Sequence, residues 1–196
     1  MPWPPDLTAW SCMPPMAICR SSSCLIPPTT ARMNMAAASP ARFTLEVMRA
    51  LIAAVGGGKV GIKISPLHPY AGIAFDDPLA TYTYLINELN QLDFAFVELM
   101  KRSPMFPLLP HYPADDEIER FGKLVKHTLI AGTAYTRDTG EAELEKGIAD
   151  LIAYGLTFLA NPDLPRRFEL GAELNTPDRA TMFGGGEHGY TDYPVL

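Results

Sequence analysis

An α/β fold with parallel strands is the class this sequence predicts, on three observations. Strand-like and helix-like segments alternate four times between residues 41 and 196. Three of the strand segments are apolar along their whole length, as strands buried on both faces are. Each strand-plus-helix unit takes roughly 30–40 residues, the size of a βα repeat. A doubly wound sheet and part of a barrel both satisfy this pattern. No G-x-G-x-x-G follows any strand, so the usual dinucleotide fingerprint is absent.

The elements follow in order. "ARFTLEVMRALIAAVG" puts Phe43, Val47, Leu51 and Ala54 near helical spacing and stops at glycines 56–58. "KVGIKIS" is a short strand over residues 59–65. "DDPLATYTYLINELNQL" is a helix with Asp77 as N-cap and Pro78 at its first position, where a missing N–H does no harm. "FAFVEL" is a strand and "DDEIERFGKLVKH" a helix. "HTLIAG" is a strand closed by Gly132. "TRDTGEAELEKGIA" is a helix with Thr136 or Asp138 near its cap. "DLIAYG" is a strand closed by Gly155, and "NPDLPRRFELG" is a final short helix.

Composition bounds the partners. The chain has 196 residues, enough for one domain with a real core. It is 47% hydrophobic and 19% charged, ordinary for a soluble globular protein. A formal charge of −6 and a pI near 5.2 argue against a nucleic-acid partner, which needs a basic footprint. No apolar run reaches the roughly 18 residues needed to span a membrane. His68 lies near Asp76 and Asp77, but no metal-ligand spacing joins them, and no metal site is expected.

The averages hide a break near residue 40. Residues 1–40 hold both tryptophans, all three cysteines, five of nine methionines and eight of nineteen prolines. They hold one acid, Asp6, and two bases, Arg20 and Arg32, so residues 41–196 carry 21 acids and 14 bases. Prolines at 4, 5, 14 and 15 interrupt any secretory core. Cys12, Cys19 and Cys24 have no His among them, which speaks against zinc. A disordered proline-rich tail is the plainer alternative, although such tails are rarely rich in Trp and Cys.

Four stretches carry a likeness: "VGIKISP", "LIAGTAYTRDTGEAELEKGIADLIAYG", "FLANPDLPRRFELGAELNTPDR" and "GGGEHGYTDYP". Together they resemble the C-terminal half of the Old Yellow Enzyme family, the FMN-dependent NADH:flavin oxidoreductases and ene-reductases. The likeness covers residues 41–196. It implies the C-terminal half of a (βα)8 TIM barrel, four βα units matching family strands five to eight, behind an irregular segment 1–40. By the same resemblance Lys63 stands beside the flavin N1–C2=O edge, where a positive charge stabilises the anionic reduced flavin. Gly132, Thr133 and Gly155 match the backbone turns that hold the FMN phosphate. Leu156 stands where many members have an arginine paired to that phosphate, so a charge contact is missing. Tyr190 matches a residue near the active-site mouth, on the substrate side. "KRSPMFPLLPHYP" is expected to lie over that mouth as a long loop. Read without the family, Lys63 could be an ordinary strand-end lysine, the glycines plain turns, and Tyr190 a packing residue.

The resemblance also implies what should precede Ala41: a strand like "GFDGVELHAANGYL", then "NNRTDEYGGS". That region carries the His/Asn pair that grips the substrate and the Tyr that donates a proton. Neither stretch is present, so no catalytic residue is assigned. The opening can nevertheless encode both, one frame over. Read from the third base of the Met1 codon, residues 1–19 become "AMAAGFDGVELHAANGYL" with allowed codon choices. Residues 28–38, "PTTARMNMAAA", become "NNRQDEYGGS". Five positions in the two stretches are forced by the genetic code and agree. Residues 1 to about 38 are therefore expected to be an out-of-frame translation.

The expectation for function is a fragment of an FMN-dependent oxidoreductase that reduces activated alkenes with NAD(P)H. In the family, NAD(P)H reduces the flavin, flavin N5 gives hydride to the alkene, and the Tyr adds a proton. Lacking the Tyr and the clamp, the chain is expected to be inactive, and whether it is an enzyme stays open. The expected partners are a small enone-type molecule and another chain, met through exposed strand edges. A cytoplasmic location is expected.

Overall fold

Five short parallel strands lie side by side in chain order: β1 (Trp10–Cys12), β2 (Val60–Ile64), β3 (Phe96–Met100), β4 (Thr128–Gly132) and β5 (Leu151–Ala153). The computed structural model describes residues 10–12, 33–68, 75–104, 106–182 and 186–196. Five helices accompany the strands: α1 (Met33–Val55), α2 (Pro78–Leu89), α3 (Arg137–Glu145), α4 (Leu156–Ala160) and α5 (Leu164–Leu170). The β2-to-β5 ladder is in regular register, with Lys63 beside Glu98, Glu98 beside Ile130 and Gly132 beside Ala153. The fold is α/β with a parallel sheet, as the alternation of segments predicts.

Strand geometry sends successive side chains to opposite faces. Ile62, Ile64, Val97, Leu99, Leu129 and Ala131 point one way, and all are essentially buried. Against them pack Leu45 and Met48 of α1, Tyr82, Leu85, Ile86 and Leu89 of α2, and Ile118 and Phe121. Burying each such side chain stabilises the fold by about 1.5–3 kcal/mol. The other face carries Lys63, Phe96, Glu98, Met100 and Ile130, all only partly buried. Gly61 belongs to this face because the ring of its partner Phe96 sits over it; a Cβ there would collide with that ring.

Local chemistry sets several ends as expected. Asp77 caps α2, its carboxylate accepting from Ala80 N at 2.9 Å, with Pro78 opening the helix. Thr136 caps α3 in a reciprocal box with Thr139. Asp150 starts β5: its N–H donates to Leu129 O and its carboxylate accepts from Leu129 N.

Other expectations are corrected. The segment 1–40 is not irregular throughout, since β1 pairs with β2 at its edge and α1 begins at Met33. Alanines 36–38 favour helix, and the helix runs through Pro40 instead of starting after it. The buried face of α1 is Ala41, Thr44, Leu45 and Met48, one step round from the line through Phe43, which is 57% exposed. The "DDEIERFG" helix shrinks to one π-type turn, Ile118–Gly122. Asn90 reaches in from the end of α2, donating to Leu124 O and accepting from Lys126 N, and so takes the backbone groups a longer helix would use. A short helix, α4, follows Gly155 where none was foreseen. The rest of the opening segment, residues 1–9 and 13–32, lies outside the described residues.

Candidate functional site

Lys63 and Glu98 occupy adjacent positions on β2 and β3 and form an ion pair, Nζ to Oε1 at 2.7 Å. Their side chains are only 25% and 16% exposed, so solvent screens the pair weakly. Glu98 Oε1 also lies 3.1 Å from where a Cβ on Gly132 would sit. The carboxylate thus pairs with Lys63 and lies close to the last residue of β4. Sequence reasoning found Lys63 and Gly132 but missed Glu98. The signal was there: "GIKI" and "FVEL" each set one charge, of opposite sign, among apolar residues near the end of a strand.

Past β4 the chain turns sharply. Thr133 and Ala134 both adopt left-handed backbone conformations, φ 84° and 58°, which residues with a Cβ seldom take. Gly132 O accepts from Lys101 N at 3.0 Å. Gly132 lies beside Ala153 in the ladder, so Gly155 follows two residues past the end of the neighbouring strand. Gly155 caps α4 and Leu156 opens it, with Leu156 40% exposed. The structure therefore brings Lys63, Gly132, Thr133, Gly155 and Leu156 to the C-terminal ends of β2, β4 and β5, with β3 between the first two. Lys101, at the end of β3, is engaged elsewhere: its ammonium sits 3.9 Å from the Tyr135 ring centroid and 3.9 Å from Glu143 Oε2. Burial pushes the Tyr135 hydroxyl pKa up, and its hydrogen bond to Glu143 pushes it further.

The proline-rich loop after β3 ties onto the loop after β2. Tyr112 OH accepts from Phe75 N, and His68 Nδ1 accepts from Ser103 N. Burial lowers the His68 pKa. Tyr190 stands apart: it is 55% exposed, and its N–H donates to Glu187 O. No described contact joins it to Lys63 or Gly132. The motif around it braces the chain end, with Asp192 accepting from Gly189 N and His188 Nδ1, each at 2.7 Å.

Comparison with known proteins decides the family. Residues 38–175 match the model of the NADH:flavin oxidoreductase / NADH oxidase family. The chain belongs to that family. It is 39% identical over 166 residues to 12-oxophytodienoate reductase 1 of Oryza sativa subsp. japonica, covering 79% of this chain and 41% of the relative. A 12-oxophytodienoate reductase-like protein of Solanum lycopersicum is 37% identical over 156 residues, with 79% and 41% covered. Morphinone reductase superposes with a TM-score of 0.74 at 38% identity, covering 82% of this chain and 42% of that one. The old yellow enzyme from Trypanosoma cruzi shares the fold, with a TM-score of 0.75 at 24% identity and 82% and 41% covered. The chain spans about two fifths of these relatives' length.

Family membership implies FMN, a phosphorylated anion, and the residues at the β2–β4 end fit it poorly. The turns offer backbone, but the charges do not match. Lys63 is paired with Glu98 at 2.7 Å, Glu98 Oε1 lies 3.1 Å from where a Cβ on Gly132 would sit, and Leu156 offers no cation. A carboxylate beside a site for an anion opposes its binding unless a further positive charge compensates.

Proposed function

We propose that this chain is part of an FMN-dependent oxidoreductase that reduces activated, enone-type alkenes with NAD(P)H, and that it is inactive as it stands. The observation that carries the ancestry is the family match over residues 38–175. The observations behind the inactivity are the missing Tyr and His/Asn pair and the unfavourable charges at the flavin end. In this reading Lys63 marks the flavin edge, Gly132, Thr133, Gly155 and Leu156 the phosphate turns, and Tyr190 the substrate side. Residues 1 to about 38 are out-of-frame, and the body begins near residue 41. A cytoplasmic location goes with this reading; among the described residues no helix is long and apolar enough to cross a membrane. The test is turnover: purified chain, NADPH, added FMN, and a maleimide or cyclic enone. No reduction above the protein-free control is expected, and enzymatic turnover of either alkene overturns the reading.

A second reading has its own support. β5 has only three residues, and Leu151 on it is 53% exposed. An open strand edge of this kind favours pairing with another chain. A non-catalytic half-barrel that associates in this way would run as a defined dimer in light scattering, where the first reading requires no partner.

A further inference from the structure

We infer that the open face of the sheet docks a second copy of this chain, the two copies meeting with the faces that carry Leu151 turned toward each other. The inference rests on the reading of the chain as a half-barrel that associates, and it moves the contact from the strand edge to the sheet face. Sheets whose strands are all parallel occur almost only with both faces covered. Here every strand pair is parallel, and the helices lie on one face. α1 and α2 pack there on the buried strand residues, and Gly140 of α3 sits under Ile152 and Tyr154. The opposite face is apolar and open. Ile130 and Leu151 are register partners on it, with Phe96 and Met100 on the neighbouring strand, and Leu151 is 53% exposed. Charge selects the occupant. The chain carries a net charge of −6, which sets copies against each other over most of their surface. On this face the two charged strand residues, Lys63 and Glu98, cancel at 2.7 Å, so two such faces meet without repulsion. Chain length agrees. The shared region is 42% of morphinone reductase, so a second copy supplies most of what that relative has beyond it. Strands of three to five residues make a face only about 15 Å by 20 Å, too small for a permanent dimer. The dimer is therefore weak and reversible, with a Kd on the order of 10 μM.

Sedimentation equilibrium of the full chain tests this, at about 1 μM and about 200 μM, either side of that Kd. The mass is expected to rise with concentration from 21.5 kDa toward twice that value and to stop there. Leu151→Asp places a charge in the contact twice, once from each copy, and is expected to weaken the dimer at least about tenfold. Phe43→Asp, on the exposed side of α1, is expected to leave the dimer unchanged. Circular dichroism checks that both variants are folded. A second measurement keeps the contact apolar: Leu151→Cys is alkylated with excess iodoacetamide, and peptide mass spectrometry reads position 151 by itself. Its rate is expected to fall several-fold between the low and the high chain concentration. A thiol in Phe43→Cys is expected to react equally fast at both.

A dimer that survives Leu151→Asp, with the position 151 thiol reacting equally at both concentrations, overturns the inference and leaves the half-barrel reading standing through its strand edge. A chain of 21.5 kDa at every concentration overturns both. A mass that grows without stopping at two copies overturns the inference, because two closed faces leave no third to bind. A position 151 thiol that is slow at both concentrations overturns it as well, since something other than a second copy then covers the face.

Discussion

Arg167 shows what the "NPDLPRRF" motif does physically. Its side chain is nearly buried, and its guanidinium donates to Asp163 Oδ1 at 2.7 Å, Glu173 O at 2.6 Å and Pro194 O at 2.9 Å. Asp163 accepts from Leu196 N as well. Asn161 donates to Thr157 O and Asn175 O, and accepts from Asn175 N. The motif thus fastens α5 to the chain end, so its specificity as a family mark reflects structure as much as chemistry. Replacing Arg167 by Ala removes all three of these hydrogen bonds and is expected to cost roughly 3 kcal/mol, about 1 kcal/mol for each. Urea denaturation measures it; a loss below about 1 kcal/mol contradicts this account of the motif. A second prediction concerns His188. Its hydrogen bond to Asp192 holds its pKa above the usual 6.5, and the Asp192 charge adds to this. A raised histidine pKa means the pair's stabilisation is complete below pH 6.5 and fades as pH rises through the raised value. An NMR titration of His188 is expected to return to the ordinary value in Asp192→Asn, and an unchanged titration contradicts the pairing.

Elements were legible in the sequence where local chemistry sets them. The Asp77–Pro78 start of α2 and the Thr136 cap of α3 depend on residues within one turn, so sequence alone placed the first and narrowed the second to Thr136 or Asp138. Asp77→Ala is expected to lower stability by about 1 kcal/mol, the usual worth of such a cap; thermal melting with no shift contradicts that role. The misses have non-local causes. The face of α1 is chosen by α2 and β2, not by its own spacing of apolar residues. The "DDEIERFG" helix stops because Asn90, about 30 residues earlier in sequence, takes its backbone groups. Glu98 went unnoticed for the same reason: its meaning depends on which residue of β2 lies beside it, and register is a property of the sheet.

At the scale of the molecule, the family was legible because its motifs are long and contiguous, and the α/β class because period and segment length survive in any member. The charge pair was less legible, since Lys63 and Glu98 come from two different strands. The opening segment bears on the gene. In the frame set by the third base of the Met1 codon, the nucleotide sequence is expected to read "AMAAGFDGVELHAANGYL" and then "NNRQDEYGGS", with one or two bases gained or lost near codons 38–40. Resequencing that gene settles it, and an unrelated or stop-interrupted reading of that frame makes residues 1–38 a genuine tail. We propose that this member of a flavoprotein family does not retain FMN as it stands. The decisive experiment incubates the purified chain with excess FMN, desalts it, and records the visible spectrum. A colourless protein is expected, with the flavin left in the small-molecule fraction. A yellow protein carrying close to one FMN per chain contradicts it.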